Sequence, residues 1–410
     1  QYAAKSYEQA ETDLKNGKPV TMLFLNDYAK PLDAPLAQFV DAEQVFVHIS
    51  RSDSVKLNAF FEELSRLPKL KYLNIGGYFD KSGNILKIPA TIEKLKGLEG
   101  LSLKMGGGIN ASAVWTALPK FKQLVALDIE LPSRQMDLPV ALRACTNLKS
   151  LAISSFDGNV PEWFSELKAI EYITLQRKYN DGRQPLTNLK SLSEFSSLKG
   201  LEISNFSVQG SDFKGLGESL QSIVFYYCKM IEPDELIVAL NRCKRLELFR
   251  LQGVILPSFS PTATLELPDL KELSLSELYE DSLRKKPLAG VPDFAACTQL
   301  KMLHLGKVLG ETLPKGIEQM TELETLNLAG NRLTQLPDLG RMTKLRFLTV
   351  NNNQLKELPN DIGKAQKLKT LNATNNQLSE LPLGVFNASE LEFVFLGNNQ
   401  LRKIPGDLSK

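Results

Sequence analysis

Four related segments, LETLNLAGNRL at 323–333, LRFLTVNNNQL at 345–355, LKTLNATNNQL at 368–378 and LEFVFLGNNQL at 391–401, decide the fold. Each follows the pattern L-x-x-L-x-L-x-x-N-x-L with few departures, and their first residues lie 22, 23 and 23 positions apart. A fixed period of this length indicates a solenoid, in which every repeat stacks on its neighbours.

Apolar residues two positions apart lie on the same face of a strand, because successive side chains point to opposite faces. Leu326 and Leu328 have this spacing, and so do Leu348 and Val350. One repeat is too short to bury such residues alone. We therefore expect parallel strands stacked side by side, with these two pairs adjacent.

An asparagine follows the first leucine of each segment by eight positions, at Asn331, Asn353, Asn376 and Asn399. The chain must turn there while still buried, and a carboxamide can pair with backbone groups that the turn leaves unsatisfied. Leu-Pro or Ile-Pro follows at 336–337, 358–359, 381–382 and 404–405. Proline ends strand pairing and suits a short outer segment.

These motifs resemble the leucine-rich-repeat family, especially its bacterial and intracellular-type members with an L-P-x-x-I outer leg. The resemblance implies an α/β fold: a curved, right-handed solenoid with a parallel sheet on its concave face. The convex face would mix helix, 3₁₀ helix and extended chain. Members of the family generally bind another molecule, so the resemblance also implies a binding function.

The repeat pattern extends over most of the chain. Residues 1–43 are expected to form an N-terminal cap, with a short helix opened by the capping box Ser6 to Gln9. Residues 44–410 are expected to form the solenoid, irregular to about 299 and regular from 300. The register predicts about fifteen parallel strands and outer helices near 54–67, 111–118 and 233–243.

Composition narrows the classes of partner. The 49 Lys and Arg nearly balance the 47 Asp and Glu, giving a net charge of +2, so the clustered basic residues of a nucleic-acid surface are not expected. No apolar run reaches membrane-spanning length. The chain begins at Gln1, which fits removal of an export signal or a cloning boundary equally well. We expect an extracellular or cell-surface location, with a cytoplasmic one as the alternative.

The residues that carry catalysis or bind metals are sparse. Cys145, Cys228, Cys243 and Cys297 all take interior register positions, which predicts buried thiols rather than disulfides. The two histidines, His48 and His304, lie many repeats apart, so no shared metal site is expected. Gly106–Ala111 matches G-x-G-x-x-A, but its strand is in repeat register, which favours a glycine-rich loop over a cofactor site. The sequence therefore predicts no enzyme, no metal and no cofactor.

The register also gives the strand residues that face outward on the concave side. Aromatic and arginine side chains are enriched at binding hot spots. The candidate ligand-binding residues of this kind are Tyr72, Tyr172, Tyr226, Arg250, Phe347, Phe393 and Phe395. Tyr172, Tyr226 and Arg250 are expected to cluster on nearby strands, and Phe347, Phe393 and Phe395 to form a second patch.

Four repeats carry extra residues after the strand, at 79–84, 106–110, 179–185 and 279–287, which should project on one rim. Two functions remain open: a non-enzymatic scaffold for a protein ligand, using the concave face and rim loops, and a recognition module for a glycan or cell-wall polymer. A third, the targeting part of a longer effector enzyme, would require a further catalytic domain. The last strand predicted, at 391–396, suggests self-association through an unpaired edge.

Overall fold

A computed structural model of the chain describes all residues except 1–4, 27–34, 50–53, 78–85, 106–108, 132–137, 179–183, 282–285, 287, 289 and 403–410. Of the expected rim loops, 79–84 lies wholly outside the described residues and the other three lie largely outside them. The chain forms two compact units, residues 1–198 and 199–410.

Parallel strands make up the main sheet of the first unit. They are β1 Lys5–Ser6, β2 Met22–Asn26, β3 Gln44–Ile49, β4 Tyr72–Gly77, β6 Gly100–Met105, β8 Ala126–Glu130, β9 Ser150–Ser154 and β10 Tyr172–Gln176, with β5 Leu86–Lys87 and β7 Ile109–Asn110 forming a separate pair. The helices are α1 Tyr7–Lys15, α2 Ser54–Leu64 and α3 Ser112–Ala117. Short 3₁₀ helices occupy Ala90–Lys94, Leu118–Lys120, Val140–Ala144, Glu162–Glu166 and Leu189–Glu194.

The second unit repeats the arrangement with shorter outer segments. Its main-sheet strands are β11 Gly200–Ser204, β13 Ser222–Tyr226, β15 Leu248–Gln252, β16 Glu272–Ser276, β17 Met302–His304, β18 Thr325–Asn327, β19 Phe347–Thr349, β20 Thr370–Asn372 and β21 Phe393–Phe395, while β12 Ser207–Gln209 pairs with β14 Lys229–Ile231. Helix α4 spans Pro233–Leu240. Further 3₁₀ helices lie at Gly210–Phe213, Ile317–Gln319, Asn360–Lys364 and Leu383–Asn387.

The predicted register is confirmed. Strand β18 pairs in parallel with β19, and Leu326 lies opposite Leu348. The described residues contain seventeen main-sheet strands, where about fifteen were expected. One of the additional strands is Lys5–Ser6, because two residues are too few to show the alternation by which a strand is recognised.

The start of the chain forms the short helix that the capping box predicts. The Ser6 hydroxyl accepts a hydrogen bond from the Gln9 amide at 3.4 Å, and the Gln9 side chain accepts one from the Ser6 amide at 3.3 Å. Helix α1 then ends before Gly17, whose φ of +72° favours glycine. The assignment of residues 1–43 as a cap and 44–410 as the solenoid stays a proposal.

The interior between the strands and the outer segments is apolar. The inward strand residues, such as Leu326, Leu348 and Leu371, are fully buried. Phenylalanines fill the wider repeats; Phe164 and Phe195, for example, meet edge to face with ring centroids 5.8 Å apart. The predicted stacking of repeats around an apolar core is therefore present in each unit.

Candidate functional site on the open face of the sheet

Buried and more exposed side chains alternate along most of the main-sheet strands. In β10, Ile173 and Leu175 are buried, whereas Tyr172 is 47% exposed. We call the side that carries the exposed positions the open face. All seven candidate residues lie on it: Tyr72 and Tyr172 in the first unit, and Tyr226, Arg250, Phe347, Phe393 and Phe395 in the second.

A hydrogen-bonded network crosses three strands of the second unit. The Arg250 guanidinium donates through Nη1 to the Tyr226 hydroxyl at 2.8 Å and forms a hydrogen-bonded ion pair through Nη2 with the Glu272 carboxylate. The Arg250 and Glu272 side chains are only 29% and 15% exposed. These contacts hold the tyrosine ring and the guanidinium in one arrangement on strands β13 and β15.

Burial and neighbouring groups shift the pKa values of Arg250 and of the nearby His304. Burial lowers the pKa of Arg250, but the hydrogen bonds to Glu272 and Tyr226 outweigh burial and raise the pKa overall. His304, on β17, has its pKa lowered by burial, while the nearby Glu272 raises it and Arg250 lowers it. The arginine therefore stays charged, and the histidine favours its neutral form.

Tyr72 lies in a different setting on strand β4. Its hydroxyl donates to Glu99 Oε2 at 3.0 Å, and this bond is the main reason that the tyrosine pKa is raised. A Cβ placed on Gly100 would meet Tyr72 Cδ1 at 2.6 Å. The aromatic ring therefore leans across the neighbouring strand, over a position where only glycine leaves room for it.

An open depression of about 340 Å³ lies beside Tyr72. Its lining on strands β3, β4, β6, β8 and β9 comprises Gln44, Val45, Phe46, Tyr72, Leu73, Asn74, Gly100, Leu101, Ser102, Ala126, Leu127, Asp128 and Ser150. Asp128 Oδ2 pairs with Lys104 Nζ at 2.8 Å and accepts from the Ser102 hydroxyl at 3.4 Å. Asp128 Oδ1 is buried and receives no hydrogen bond from the described residues.

The C-terminal aromatic residues form the second predicted group. The rings of Phe393 and Phe395 on β21 are stacked with centroids 6.5 Å apart, and the side chains are 56% and 49% exposed. Phe347, 41% exposed, lies in the same row as Phe393 with Thr370 between them. The Arg346 guanidinium lies 5.8 Å from the Phe347 ring centroid. Together these side chains form an exposed, largely apolar surface.

The structure brings together two of the three residues of the first predicted cluster. Tyr226 and Arg250 are in direct contact, whereas Tyr172 belongs to the other compact unit. Sequence reasoning did not select Glu272, Glu99 or Asp128, although each bonds to an open-face residue of an adjacent strand. The strand register places these carboxylates beside their partners, and that was the available signal.

Reactive groups are scarce in the part of the chain that the structure describes. All four cysteines are free and buried, as predicted. Burial raises the pKa of Cys145, Cys243 and Cys297 to about 11, so these thiols stay protonated. Within the described ranges, no cluster of three or more His, Cys, Asp or Glu side chains could hold a metal ion. No helix in the same ranges has the length and apolarity needed to cross a membrane.

Known proteins share the repeats and the fold. Residues 321–362 match the family model described as leucine-rich repeats (2 copies). The probable inactive serine/threonine-protein kinase roco10 of Dictyostelium discoideum is 30% identical over 43% of this chain, and the match spans only 7% of that kinase's length.

Solved structures are similar over almost the whole chain. A leucine-rich-repeat protein of Leptospira interrogans superposes with a TM-score of 0.66 at 22% identity, covering 97% of this chain and 95% of the other. Toll in its complex with Spätzle, from Drosophila, gives 0.60 at 20% identity, covering 87% and 46%. The repeat motif, the stacked parallel strands and these similarities show that the chain contains leucine-rich repeats and has the leucine-rich-repeat fold.

Proposed function

We propose that this protein is a non-enzymatic scaffold that binds a protein ligand through the open face of its sheets. The Tyr226–Arg250–Glu272 network is the observation that carries the proposal. Its internal hydrogen bonds fix large polar side chains before any ligand arrives. A surface ordered in advance loses less side-chain entropy on binding, and this favours a recognition role.

The chemistry of the open face also suits a protein partner. Tyrosine, arginine and phenylalanine provide large contact areas, and Tyr72, Tyr172, Phe347, Phe393 and Phe395 are each at least 39% exposed. The repeated sheet presents them at regular spacing, about 5 Å from strand to strand. A protein surface offers enough complementary area to cover several of them at once.

The similar proteins support the same class of function. Toll was solved in complex with Spätzle, which is a protein-bound example of this fold. We also propose an extracellular or cell-surface location and a bacterial source, as the resemblance of the repeats to bacterial-type members suggests. The rim loops expected from the sequence belong to the proposed ligand surface as well.

A capture experiment with matched variants tests the open face. Wild-type protein, Tyr226→Ala and Phe347→Ala would be immobilised and exposed to candidate protein ligands, with the affinity of any captured partner measured by calorimetry. A hot-spot position should weaken binding by more than about 1 kcal/mol. Leu383→Ala is the control, because Leu383 is 67% exposed on an outer 3₁₀ helix rather than on the open face.

A glycan array run with the same proteins separates the two function classes. Binding of oligosaccharides with no protein partner would favour the glycan alternative. Equal affinities of the open-face variants and wild type would move the ligand site away from these two positions. Loss of binding only in Leu383→Ala would contradict the proposal, because it would place the site on the outer face.

Self-association through strand β21 is a separate part of the proposal. Val394 is 38% exposed, whereas the equivalent Leu326, Leu348 and Leu371 of earlier repeats are fully buried. Sedimentation velocity should show a concentration-dependent dimer that a lysine at Val394 abolishes. A clean monomer for wild type at every concentration would contradict it.

A further inference from the structure

We propose that the depression beside Tyr72 binds a lysine or arginine side chain of the protein ligand. The inference rests on the proposed function, and it names the chemistry that one part of the open face selects. It concerns the first unit alone, where the depression spans strands β3 to β9. Three features support it: an apolar floor, an aromatic wall and an excess of hydrogen-bond acceptors.

The floor exists because side chains are small at two adjacent positions. Gly100 and Ala126 lie opposite each other on β6 and β8, with Tyr72 opposite Gly100 on the other side. Phe46, on β3, also lines the depression, from the row that includes Asn74. The Tyr72 ring already covers Gly100, so an aliphatic stem can lie over Ala126, beside that ring, and bury apolar surface there.

The aromatic wall is fixed in place. The hydroxyl of Tyr72 is bonded to Glu99, and its ring rests against Gly100, so it is held on both sides. A cation within about 6 Å of a tyrosine ring is attracted by the electrons of the ring face. The same ring can thus contact the stem of a long side chain and stabilise its charged end.

The polar groups around the floor favour a donor. Asp128 lines the depression, and Glu99 accepts from the hydroxyl of Tyr72; both are carboxylates, which only accept hydrogen bonds when ionised. Their lysine partners, Lys71 at 3.9 Å and Lys104 at 2.8 Å, are 43% and 51% exposed, whereas the carboxylates are 30% and 31% exposed. The lysine charges are therefore better screened by solvent than the charges of the two carboxylates.

The excess of hydrogen-bond acceptors is found at Asp128. Both of its recorded donors, Ser102 and Lys104, bond to Oδ2, while Oδ1 has no donor among the described residues. An acceptor left unpaired in a buried position is unfavourable, and a nearby cation reduces that cost. Lysine and arginine supply donors and no acceptors, whereas each sugar hydroxyl does both. The acceptor excess therefore favours the cationic side chain.

Small probes test the depression without the natural ligand. N-acetyl-lysine methylamide, N-acetyl-arginine methylamide and the uncharged N-acetyl-norleucine methylamide would be titrated into the labelled full chain by NMR. The charged probes should shift the amide signals of Gly100, Ser102, Ala126 and Asp128. The norleucine probe, which has a similar stem, should bind about tenfold more weakly, the order expected for one hydrogen bond to a charged group.

Matched variants test whether the charge of Asp128 accounts for the binding of the lysine probe. Asp128→Asn keeps the shape and removes the charge, so it should weaken the lysine probe by about tenfold, as for a charged hydrogen bond. Val140→Ala should leave the probe affinity unchanged, since Val140 is an exposed residue on an outer 3₁₀ helix of the same unit and does not line the depression. Circular dichroism would confirm that each variant is folded.

The outcomes separate this inference from the proposed function. Equal binding of norleucine and lysine probes, an unaffected Asp128→Asn variant, or shifts produced only by N-acetylglucosamine oligomers would each overturn the lysine or arginine assignment. A protein ligand captured through Tyr226 and Phe347 would still support the scaffold in that case. Probe binding at the depression without any captured protein would leave the chemistry of the depression intact and contradict the proposed function.

Discussion

Two groups of repeats within the second unit solve the same structural problem in different ways. The ladder repeats, residues 325–402, have three-residue strands and an asparagine at the buried turn. The apolar-turn repeats, residues 200–281, have five-residue strands, with Phe206, Cys228 and Val254 at the equivalent turn. In both groups the chain leaves the sheet while still buried, so its backbone groups need partners.

In the ladder repeats a side chain supplies those partners. Asn353 accepts from the Leu333 amide at 3.0 Å and donates to the carbonyls of Leu328 and Val350 at 2.9 and 3.0 Å. The bond to Leu328 reaches the preceding repeat. Asn376 makes the corresponding bonds one repeat later, to Leu355, Val350 and Ala373. The predicted role of these asparagines is confirmed.

In the apolar-turn repeats the backbone pairs with itself. Strand β12 pairs with β14, and isolated bridges continue the pattern from Lys229 to Ile255 and from Ile255 to Tyr279. The Ile255 amide, for example, donates to the Cys228 carbonyl at 2.9 Å. Cys228 is intermediate between the two arrangements. Its thiol lies 3.4 Å from the Ile203 carbonyl, 25 residues earlier, which is the same sequence separation as between Asn353 and the Leu328 carbonyl that it bonds.

The comparison shows that the turn position accepts different residue types as long as the backbone groups there are hydrogen-bonded. A second parallel ribbon of backbone releases the position from asparagine, so an apolar residue can fill the core there. Without that ribbon, the carboxamide is required. Substitutions that exchange the two solutions should therefore reveal which one each repeat depends on.

Asn353→Leu should have the largest effect. Leucine leaves the Leu333 amide and two carbonyls buried without partners, which should destabilise the protein by about 3 kcal/mol. Urea unfolding monitored by circular dichroism measures the change. The same substitution at Asn399, which is only partly buried at the end of the ladder, should cost less than half as much. Equal costs at both positions would show that burial does not set the requirement.

Cys228→Asn makes the reverse exchange. The amide nitrogen of the new side chain can take over the bond to the Ile203 carbonyl, but its oxygen finds no donor, since neighbouring amides already pair with backbone carbonyls. We expect a loss of about 2 kcal/mol for the unpaired buried oxygen. Cys228→Ala is the control and should cost less. A stabilised Cys228→Asn variant would contradict the two-solution account.

Much of this architecture follows from the sequence register. The inward residues, the pairing of β18 with β19 and the asparagine bonds all depend on spacing, which the sequence shows directly. The register did not predict the pairing of β12 with β14. That pairing arises from the path of the chain after the turn, and it leaves no asparagine or alternation to recognise in the sequence.

For the candidate site, the sequence likewise predicted the positions of residues but not the contacts between their side chains. Register placed Tyr226 and Arg250 on the open face, but the bond from Arg250 to Glu272 depends on how long side chains bend across strands. The depression follows from the smallness of Gly100 and Ala126, and a search for large aromatic residues passes over such positions. Side-chain direction and local side-chain size therefore account for what was missed.

Glycines in the left-handed conformation distinguish the two groups of repeats again. Gly330 has φ of +71° and precedes an exposed ladder in which Asn375 Nδ2 donates to Asn352 Oδ1 at 2.7 Å. Gly253 has φ of +65°, and a Cβ there would collide with the Tyr227 ring. Both positions suit residues that tolerate positive φ, but only one of them is confined by an aromatic ring.

Gly253→Asn should destabilise the protein by about 1–2 kcal/mol through overpacking. Gly330→Asn should change stability by less than about 0.5 kcal/mol, since asparagine tolerates this conformation. At Gly330 the new Cβ would meet only the flexible Lys307 side chain, 2.8 Å from its Cγ. Urea unfolding of both variants gives the comparison. Similar losses would show that backbone strain, rather than the Tyr227 ring, sets the cost.

The smallest effect is expected at His304, on the strand that precedes the ladder repeats. Its pKa in the folded protein is lowered by burial, with Glu272 and Arg250 of the apolar-turn repeats acting in opposite directions. The unfolded chain, with a histidine pKa of about 6.5, therefore binds protons more readily than the folded one. This site's contribution to stability is complete above pH 6.5 and is lost as the pH falls toward the folded pKa. His304→Gln should flatten that part of the profile in urea titrations between about pH 5 and 7.5, the range in which histidine titrates before carboxylates. Parallel pH profiles for wild type and His304→Gln would show that the boundary between the two groups of repeats is insensitive to this proton.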